Sequence, residues 1–285
     1  MEHDGAFARA IEQALREDIG LGDLTGDAVL PGDAPGRGEF LCKAPGVVAG
    51  LDVAEAVFRT LDDRIGFERF AEEGADTEPG RVLGAVTGPA RVLLRGERTA
   101  LNFLQRMSGV ATMTRTFVRA VEGTRARITD TRKTAPGLRP FDKLAVRRGG
   151  GVNHRFGLDD MVLIKDNHIV AAGGIPPAEE RCRAHLAALR IAVPVEVETK
   201  NLAEVEEALR CEGVDRIMFD NFSPVTMHEA VRLVGGRTET EASGGITLHS
   251  VRSYAETGVD FISVGALTHS VAALDISLEL LHLHA

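Results

Sequence analysis

The chain has 285 residues, room for two domains or for one large α/β domain with an appendage. Its formal net charge of −9 argues against a general nucleic-acid binder, and no apolar run approaches the roughly 18 residues of a membrane span. Three scattered cysteines form no CxxC pair, and the acidic start MEHDGAFARA lacks the regions of a signal peptide, so a cytoplasmic protein without disulfides or structural zinc is expected.

Residues 6–19 carry Phe7, Ala10, Ile11, Ala14, Leu15 and Ile19 at helical spacing and end at Gly20, which predicts an amphipathic opening helix. From 38 to 98, short apolar runs (PGVVAG, IGFERF, RVLGAV, ARVLLRG) are cut by Gly and Pro. They predict a strand-rich region with one helix near 52–62. A long helix is predicted over 97–122. Strands are then predicted at 126–130, 161–165, 193–199, 215–220, 237–242 and 260–264, with helices at about 177–190, 201–211, 224–234 and 247–257. Such alternation means parallel strands, in a barrel or a doubly wound sheet. Neither GxGxxG at a helix start nor a GxxxxGK(S/T) loop is present, so nucleotide-binding folds lose support. The last apolar stretch, 274–283, either closes the barrel or packs back on the first domain.

The predicted strands end in polar, charged or glycine residues: Thr131-Arg132-Lys133, Lys165-Asp166, Glu198, Asp220, Ser243-Gly244-Gly245 and Gly265. In a parallel barrel those ends carry the chemistry. Solvated loop residues would explain any one end, but poorly the whole set. Between Asp130 and His168 stand eight basic residues against five acidic ones, within a chain that is otherwise strongly acidic. A basic centre in an acidic protein suits a small polyanion: arginine grips carboxylates, and lysine offers a point charge to phosphate. Arg147 and Arg148 fit helix-surface ion pairs, or a place beside the Gly149–Gly151 turn.

In Val195-Glu196-Val197-Glu198 the two-residue period puts both glutamates on one face. Pointing into a barrel they are costly unless they bind a metal or hydroxyls, or form a salt bridge with a barrel lysine. Glu198 and Asp220 at adjacent tips could hold Mg²⁺, directly or through water. The glycine-rich ends of the last strands offer bare N–H groups to a phosphate. Together these features describe a phosphorylated sugar meeting a carboxylated acceptor.

ERTALNFLQRMSGVAT (97–112), TDTRKTAPGLR (129–139), GGGVNHRFGLDD (149–160), LIKDNHI (163–169), VEVE (195–198), MFDN (218–221), EASGGI (241–246) and VGALTHS (264–270) closely resemble the quinolinate phosphoribosyltransferase family. The resemblance runs from GDLT (22–25) to LDISLEL (274–280), departing at Ala135, where a second Thr is frequent, and at Phe219, where Leu is commoner. It implies transfer of phosphoribose from phosphoribosyl pyrophosphate to quinolinate with loss of CO₂, giving nicotinate mononucleotide in NAD biosynthesis. The implied fold is an N-terminal α/β sandwich (1–108, joined by the 275–285 tail) and an incomplete parallel α/β barrel (109–274). Carried over by position, Arg132, Lys133, His154, Arg155 and Lys165 would hold the quinolinate carboxylates and nearby phosphate. Glu198 and Asp220 would face the ribose hydroxyls and Mg²⁺, with Lys133 the third catalytic residue. Ser243, Gly244, Gly245, Gly265 and His269 would take the 5′-phosphate, and Thr131, Val264 and Ala266 complete the substrate-binding set. The family also implies a homodimer or higher homo-oligomer in which Arg98 reaches the neighbouring site, with no nucleic-acid or membrane partner.

Other readings are a paralogue from molybdenum-transport operons, a Schiff-base aldolase using Lys165 or Lys133, and a non-catalytic binding module. The first would be expected to lose part of the basic set, which is intact here. The last has no need of paired Glu198 and Asp220.

Overall fold

The computed structural model describes residues 4–30 and 34–281, and the chain divides into two units. The first takes the chain through Arg115, then Thr134–Gly150 and everything from Leu267; the second takes Thr116–Lys133 and Gly151–Ala266.

The first unit opens with α1 (Asp4–Ile19), which buries Ile11 and Leu15 from its apolar stripe. A short α2 (Leu24–Val29) follows, capped by Asp23, whose carboxylate accepts the Gly26 N–H at 2.9 Å. Next come β1 (Pro35–Cys42), β2 (Gly46–Val47), α3 (Leu51–Leu61), β3 (Gly66–Arg69), β4 (Asp76–Thr77) and β5 (Val82–Pro89). β1 alternates strictly along its length, so Gly38, Phe40 and Cys42 face the core. β5 lies antiparallel between β1 and β3, and β2 pairs with β4 in a separate ribbon. The sheet's core gathers Phe40, Phe58, Leu51 and Leu83, with Phe40 5.7 Å from Phe67 between ring centroids.

The long helix, α4 (Ala90–Ala120), starts well before the expected residue 97. ARVLLRG, which reads as a strand-like run, forms its first turns. Leu93, Gly96, Ala100, Leu104, Met107 and Ala111 are all buried at spacings of three and four, one continuous face. Gly96 belongs to that face because a Cβ there would meet the Phe58 ring at 2.7 Å.

The second unit begins with β6 (Arg127–Thr129). The chain then makes α5 (Arg139–Arg148), a helix of the first unit that the basic run had concealed. Phe141 of α5 meets Phe7 edge to face at 4.8 Å and lies tilted against Phe103 at 4.6 Å, while Arg148 pairs with Asp52 at 2.5 Å and Glu73 at 3.1 Å. Alternation follows: β7 (Val162–Ile164), α6 (Asp166–Ala172), α7 (Ile175–Leu189), β8 (Val195–Thr199), α8 (Leu202–Leu209), β9 (Arg216–Asp220), α9 (Pro224–Val234), β10 (Glu239–Ser243), α10 (Val251–Ala255) and β11 (Phe261–Ser263). The six strands are parallel in the order β6-β11-β10-β9-β8-β7. From β7 to β11 each strand lies beside the next in sequence, and β11 returns to lie beside β6. This is a barrel that has come round on itself but stays open between β6 and β7, as the family resemblance implied. Val152 bridges to Thr129 on the β6 side of that opening.

After α11 (Ala266–His269) the chain ends its described part as β12 (Ile276–Leu281), which runs antiparallel to β1 from Cys42↔Ile276 to Arg37↔Leu281. The last apolar stretch therefore completes the first unit's sheet rather than the barrel; its residues 282–283 lie outside the described part. Among the described residues, no helix is long and apolar enough to cross a membrane.

Gly109 gives the first unit a testable contact. A Cβ there would lie 2.2 Å from the Ala272 carbonyl oxygen, so Gly109→Ala should destabilise the protein by about 1–3 kcal/mol in urea melts.

Candidate active site at the strand tips

Parallel strands send all their C-terminal ends the same way, so the six tips of the second unit form one rim. Thr131, Arg132 and Lys133 follow β6, Lys165 follows β7, Glu198 lies near the end of β8, and Asp220 ends β9. Ser243, Gly244 and Gly245 follow at β10, and Val264, Gly265 and Ala266 after β11. Arg98, exposed on α4, and His269, whose Nδ1 lies 2.6 Å from Ser270 Oγ, belong to the first unit.

Short local bonds set the turns. The Thr131 hydroxyl accepts the Lys133 N–H at 3.0 Å, which curls the chain directly after β6. Asn201 caps α8 by accepting the Glu204 N–H at 3.0 Å, and Ser223 caps α9 by accepting that of Thr226 at 3.2 Å. Gly244 has φ +99, and a Cβ there would lie 2.2 Å from Asn221 Oδ1, so only glycine fits beneath Asn221. Asn221 itself has φ +57 and donates its N–H to the Ser243 carbonyl at 2.9 Å, tying the Asp220 tip to the glycine loop.

The two glutamates of β8 take different partners. Glu198 Oε2 lies 3.1 Å from Lys165 Nζ, the salt bridge that the sequence left open as an alternative. Glu196 is fully buried, its Oε2 3.0 Å from His154 Nε2. The same nitrogen lies 3.4 Å from Glu241 of β10, whose Oε2 accepts Arg216 Nη1 at 3.0 Å. Arg216 also donates to Glu239 at 2.9 Å and packs its guanidinium 3.8 Å from the centre of the Phe261 ring. His154, which the resemblance sets against a substrate carboxylate, has its Nε2 at ion-pair distance from two buried carboxylates of the fold. Its Nδ1 accepts the Arg155 N–H at 2.8 Å.

The segment carrying these residues is pinned by Asp130. That buried carboxylate accepts the His154 N–H at 2.8 Å and Asn153 Nδ2 at 2.6 Å. Glu241, Arg216 and Asp130 escaped the sequence reading. The signal for Glu241 was present: Thr-Glu-Thr-Glu (238–241) repeats the alternation that marked Glu196 and Glu198.

Burial alone would lower the pKa of His154; hydrogen bonds and charge from Glu196 and Glu241 overturn this and lift it to about 9. Burial and the charge of Glu241 push Glu196 up to about 7. Glu241 is buried too, yet falls below its ordinary value because His154 and Arg216 hold it charged. The shifts of His154 and Glu196 describe one extra proton that the cluster retains around neutrality. A fully charged ring would need Nδ1 for a second N–H, where Arg155 already donates, so the shared proton lies on the carboxylate side of the ring. These three donors sit within 4.8 Å of one another, as metal ligands would, but Arg216 and the shared proton already neutralise them. On the rim, burial and the charge of Arg132 lower the pKa of Arg155, placing two guanidiniums close enough to repel.

Comparison with known proteins places this geometry. Residues 23–108 match the model of the quinolinate phosphoribosyl transferase N-terminal domain, and residues 110–279 that of its C-terminal domain. A rice protein named nicotinate-nucleotide pyrophosphorylase, carboxylating, chloroplastic, is 46% identical over 285 residues, covering 95% of this chain and 76% of that one. The probable nicotinate-nucleotide pyrophosphorylase of Bacillus subtilis strain 168 is 45% identical over 92% of this chain and 89% of its own. The crystal structure of NadC from Streptococcus pyogenes superposes with a TM-score of 0.92 at 39% identity, covering 97% of this chain and 96% of that one.

The buried cluster has a sign that can be measured. Raised values on His154 and Glu196 mean that the folded state holds a proton the unfolded chain gives up. Their contribution to stability is complete below the unfolded values and lost as pH rises through about 7 to about 9. The melting temperature should therefore fall across that window, and Glu241→Gln, which removes one of the two carboxylates, should flatten the decline.

Proposed function

This chain belongs to the quinolinate phosphoribosyltransferase family, and from that premise we propose that it joins phosphoribose from phosphoribosyl pyrophosphate to quinolinate, releasing pyrophosphate and CO₂ and forming nicotinate mononucleotide. The observation that carries the reading is the repulsion of Arg132 and Arg155. Two guanidiniums close enough to repel, one exposed and one half-buried, with Lys133 and Lys165 on the neighbouring tips, suit a ligand with matching negative charge, and quinolinate has two adjacent carboxylates. A Schiff-base role for Lys165 loses ground because Glu198 holds its ammonium at 3.1 Å.

The residues divide the work by position on the rim. Arg132, Arg155 and Lys165 orient the acceptor so that its ring nitrogen faces the sugar's anomeric carbon. Lys133 neutralises the departing pyrophosphate, and Ser243, Gly244, Gly245 and Gly265 hold the 5′-phosphate through N–H and hydroxyl groups. Thr131, Val264 and Ala266 line the same loops. The bond from the anomeric carbon to pyrophosphate breaks with its electron pair leaving on oxygen, and the pyridine nitrogen bonds to the sugar and becomes cationic. The neighbouring carboxylate then leaves as CO₂. Its bonding pair stays on the ring carbon beside the positive nitrogen, which stabilises it until a proton arrives.

Glu198 and Asp220 supply oxygen ligands of the kind Mg²⁺ takes. Lys165 engages one oxygen of Glu198 and Asn221 one of Asp220, so each carboxylate keeps a second oxygen for a ribose hydroxyl or a hydrated cation. When bound, Mg²⁺ would screen the charge of the leaving pyrophosphate. Free cysteines at 42, 182 and 211 support a reducing, cytoplasmic setting.

Quinolinate, phosphoribosyl pyrophosphate and Mg²⁺ should yield equimolar nicotinate mononucleotide and CO₂, nicotinate should not substitute, and EDTA should stop the reaction. Arg155→Ala should lose about 2–5 kcal/mol of quinolinate binding by calorimetry while phosphoribosyl pyrophosphate still binds. Absence of product from wild-type protein would overturn the reading.

The working unit we propose is a homodimer or a larger assembly of such pairs, with Arg98 serving the neighbouring copy's site. The local alternative pairs Arg98 with Glu97 or Asp76: Arg98 is exposed on α4 and its charge acts on the adjacent Glu97, while Asp76 lies 3.4 Å from Arg115. Mixing inactive Arg98→Ala with inactive Asp220→Asn protein should restore up to roughly a quarter of full activity, since one site of each mixed pair then has both residues. No recovery, despite subunit exchange seen by native mass spectrometry, would place Arg98 in its own subunit's service or in none.

A further inference from the structure

We propose that Glu196 and Glu241 are positioning residues for the acceptor: they hold His154 by one edge so that its other edge fixes the backbone from which Arg155 reaches the ligand. The inference rests on the reading that Arg155 binds quinolinate, and deepens it.

The chain of contacts is continuous. Glu196 and Glu241 stand on the inner face of the barrel, both fully buried, with Oε2 atoms 3.0 and 3.4 Å from His154 Nε2. Arg216 grips Glu241 from below at 3.0 Å, which keeps that carboxylate charged and in place. On the far edge of the imidazole, Nδ1 accepts the Arg155 N–H at 2.8 Å. Asp130 holds the His154 N–H at 2.8 Å, so the ring hangs from a fixed main chain and is clamped at its tip. The Arg155 guanidinium, in turn, donates to the Met161 carbonyl at 3.2 Å.

The hydrogen-bond logic makes the carboxylates specific. A neutral imidazole has one N–H and one bare nitrogen, and the carboxylates decide which is which. Facing two acceptors, Nε2 must carry the proton; Nδ1 is then bare, as the Arg155 N–H requires. Without the acceptors the ring can tautomerise or rotate. The Arg155 N–H then loses its partner, beside a guanidinium already repelled by Arg132. Misplacing a binding group by about 1 Å can cost up to a hundred-fold.

Glu196→Gln and Glu241→Gln keep side-chain shape and test the idea separately. Each should raise the KM for quinolinate by about ten- to a hundred-fold. The KM for phosphoribosyl pyrophosphate should change far less, because the contacts of Glu196 and Glu241 lead through His154 to Arg155 and not to the groups that hold that ligand. Loss of structure alone would lower the active fraction and leave the quinolinate KM unchanged, which would overturn the proposal. In a double-mutant cycle, Glu196→Gln should add little to the defect of Arg155→Ala; additive defects would sink a route through Arg155. Nitrogen-15 spectra of wild-type protein with labelled histidine need no variant to fold: His154 should show protonated Nε2 and bare Nδ1, and either the reverse tautomer or a doubly protonated ring would overturn the inference. Wild-type protein that fails to bind quinolinate would refute the functional reading instead, since the ring spectra are recorded without ligand.

Discussion

A carboxylate buried on the inner face of a curled sheet has nowhere to put its charge except onto its neighbours. Glu196 and Glu241 are wholly removed from solvent, and an uncompensated buried charge costs several kcal/mol. Much of the second unit is arranged around that constraint. Arg216 gives up solvent to meet Glu241 and is itself sheltered by the Phe261 ring; the loop before β7 is drawn inward so that His154 can meet both acids. β8, β9, β10 and that loop are thereby locked together by charge as well as by their ladders. Apolar residues of like volume would fill the same space at no electrostatic cost, so the acids are better understood through what they orient than through what they stabilise.

The rim above them has the opposite sign. Arg132 and Arg155 repel one another, and the charge of Glu196 beneath acts to hold Arg155 in its protonated form. An acidic floor under a basic lip lets a negatively charged protein present a local anion trap without scattering cations over its surface. On the function proposed for it, the two tasks separate: the floor sets geometry, and the lip meets ligand.

How much of this was legible depended on whether the governing interaction was local. The parallel alternation was readable because each strand and helix carries its own period, and α9 came out with the expected bounds. ARVLLRG was not, since seven residues fit a strand as well as two helical turns, and only the buried face continuing to Ala111 decides between them. α5 was hidden because charges dominate its sequence while its buried face is carried by Phe141, Ala145 and Val146. At the site, the cations and glycines of the tips were visible as a pattern of strand ends. The partnership of His154 with Glu241 was not, because nothing within either segment specifies the other, and 86 positions along the chain lie between them. The fate of the last stretch was open for the same reason: β12 is apolar enough for either unit, and the register with β1 is a property of two distant segments.

That register has a consequence for how the protein is made. β1 is synthesised among the first 42 residues, but its partner on one edge, β12, leaves the ribosome only after every strand of the barrel. Until then β1 presents a row of unpaired N–H and C=O groups, while the six-stranded unit has all its strands in hand. The order of assembly thus runs against the order of translation: the unit begun first is finished last, and through that interval its open edge is a site for chaperones to cover or for a second nascent chain to invade.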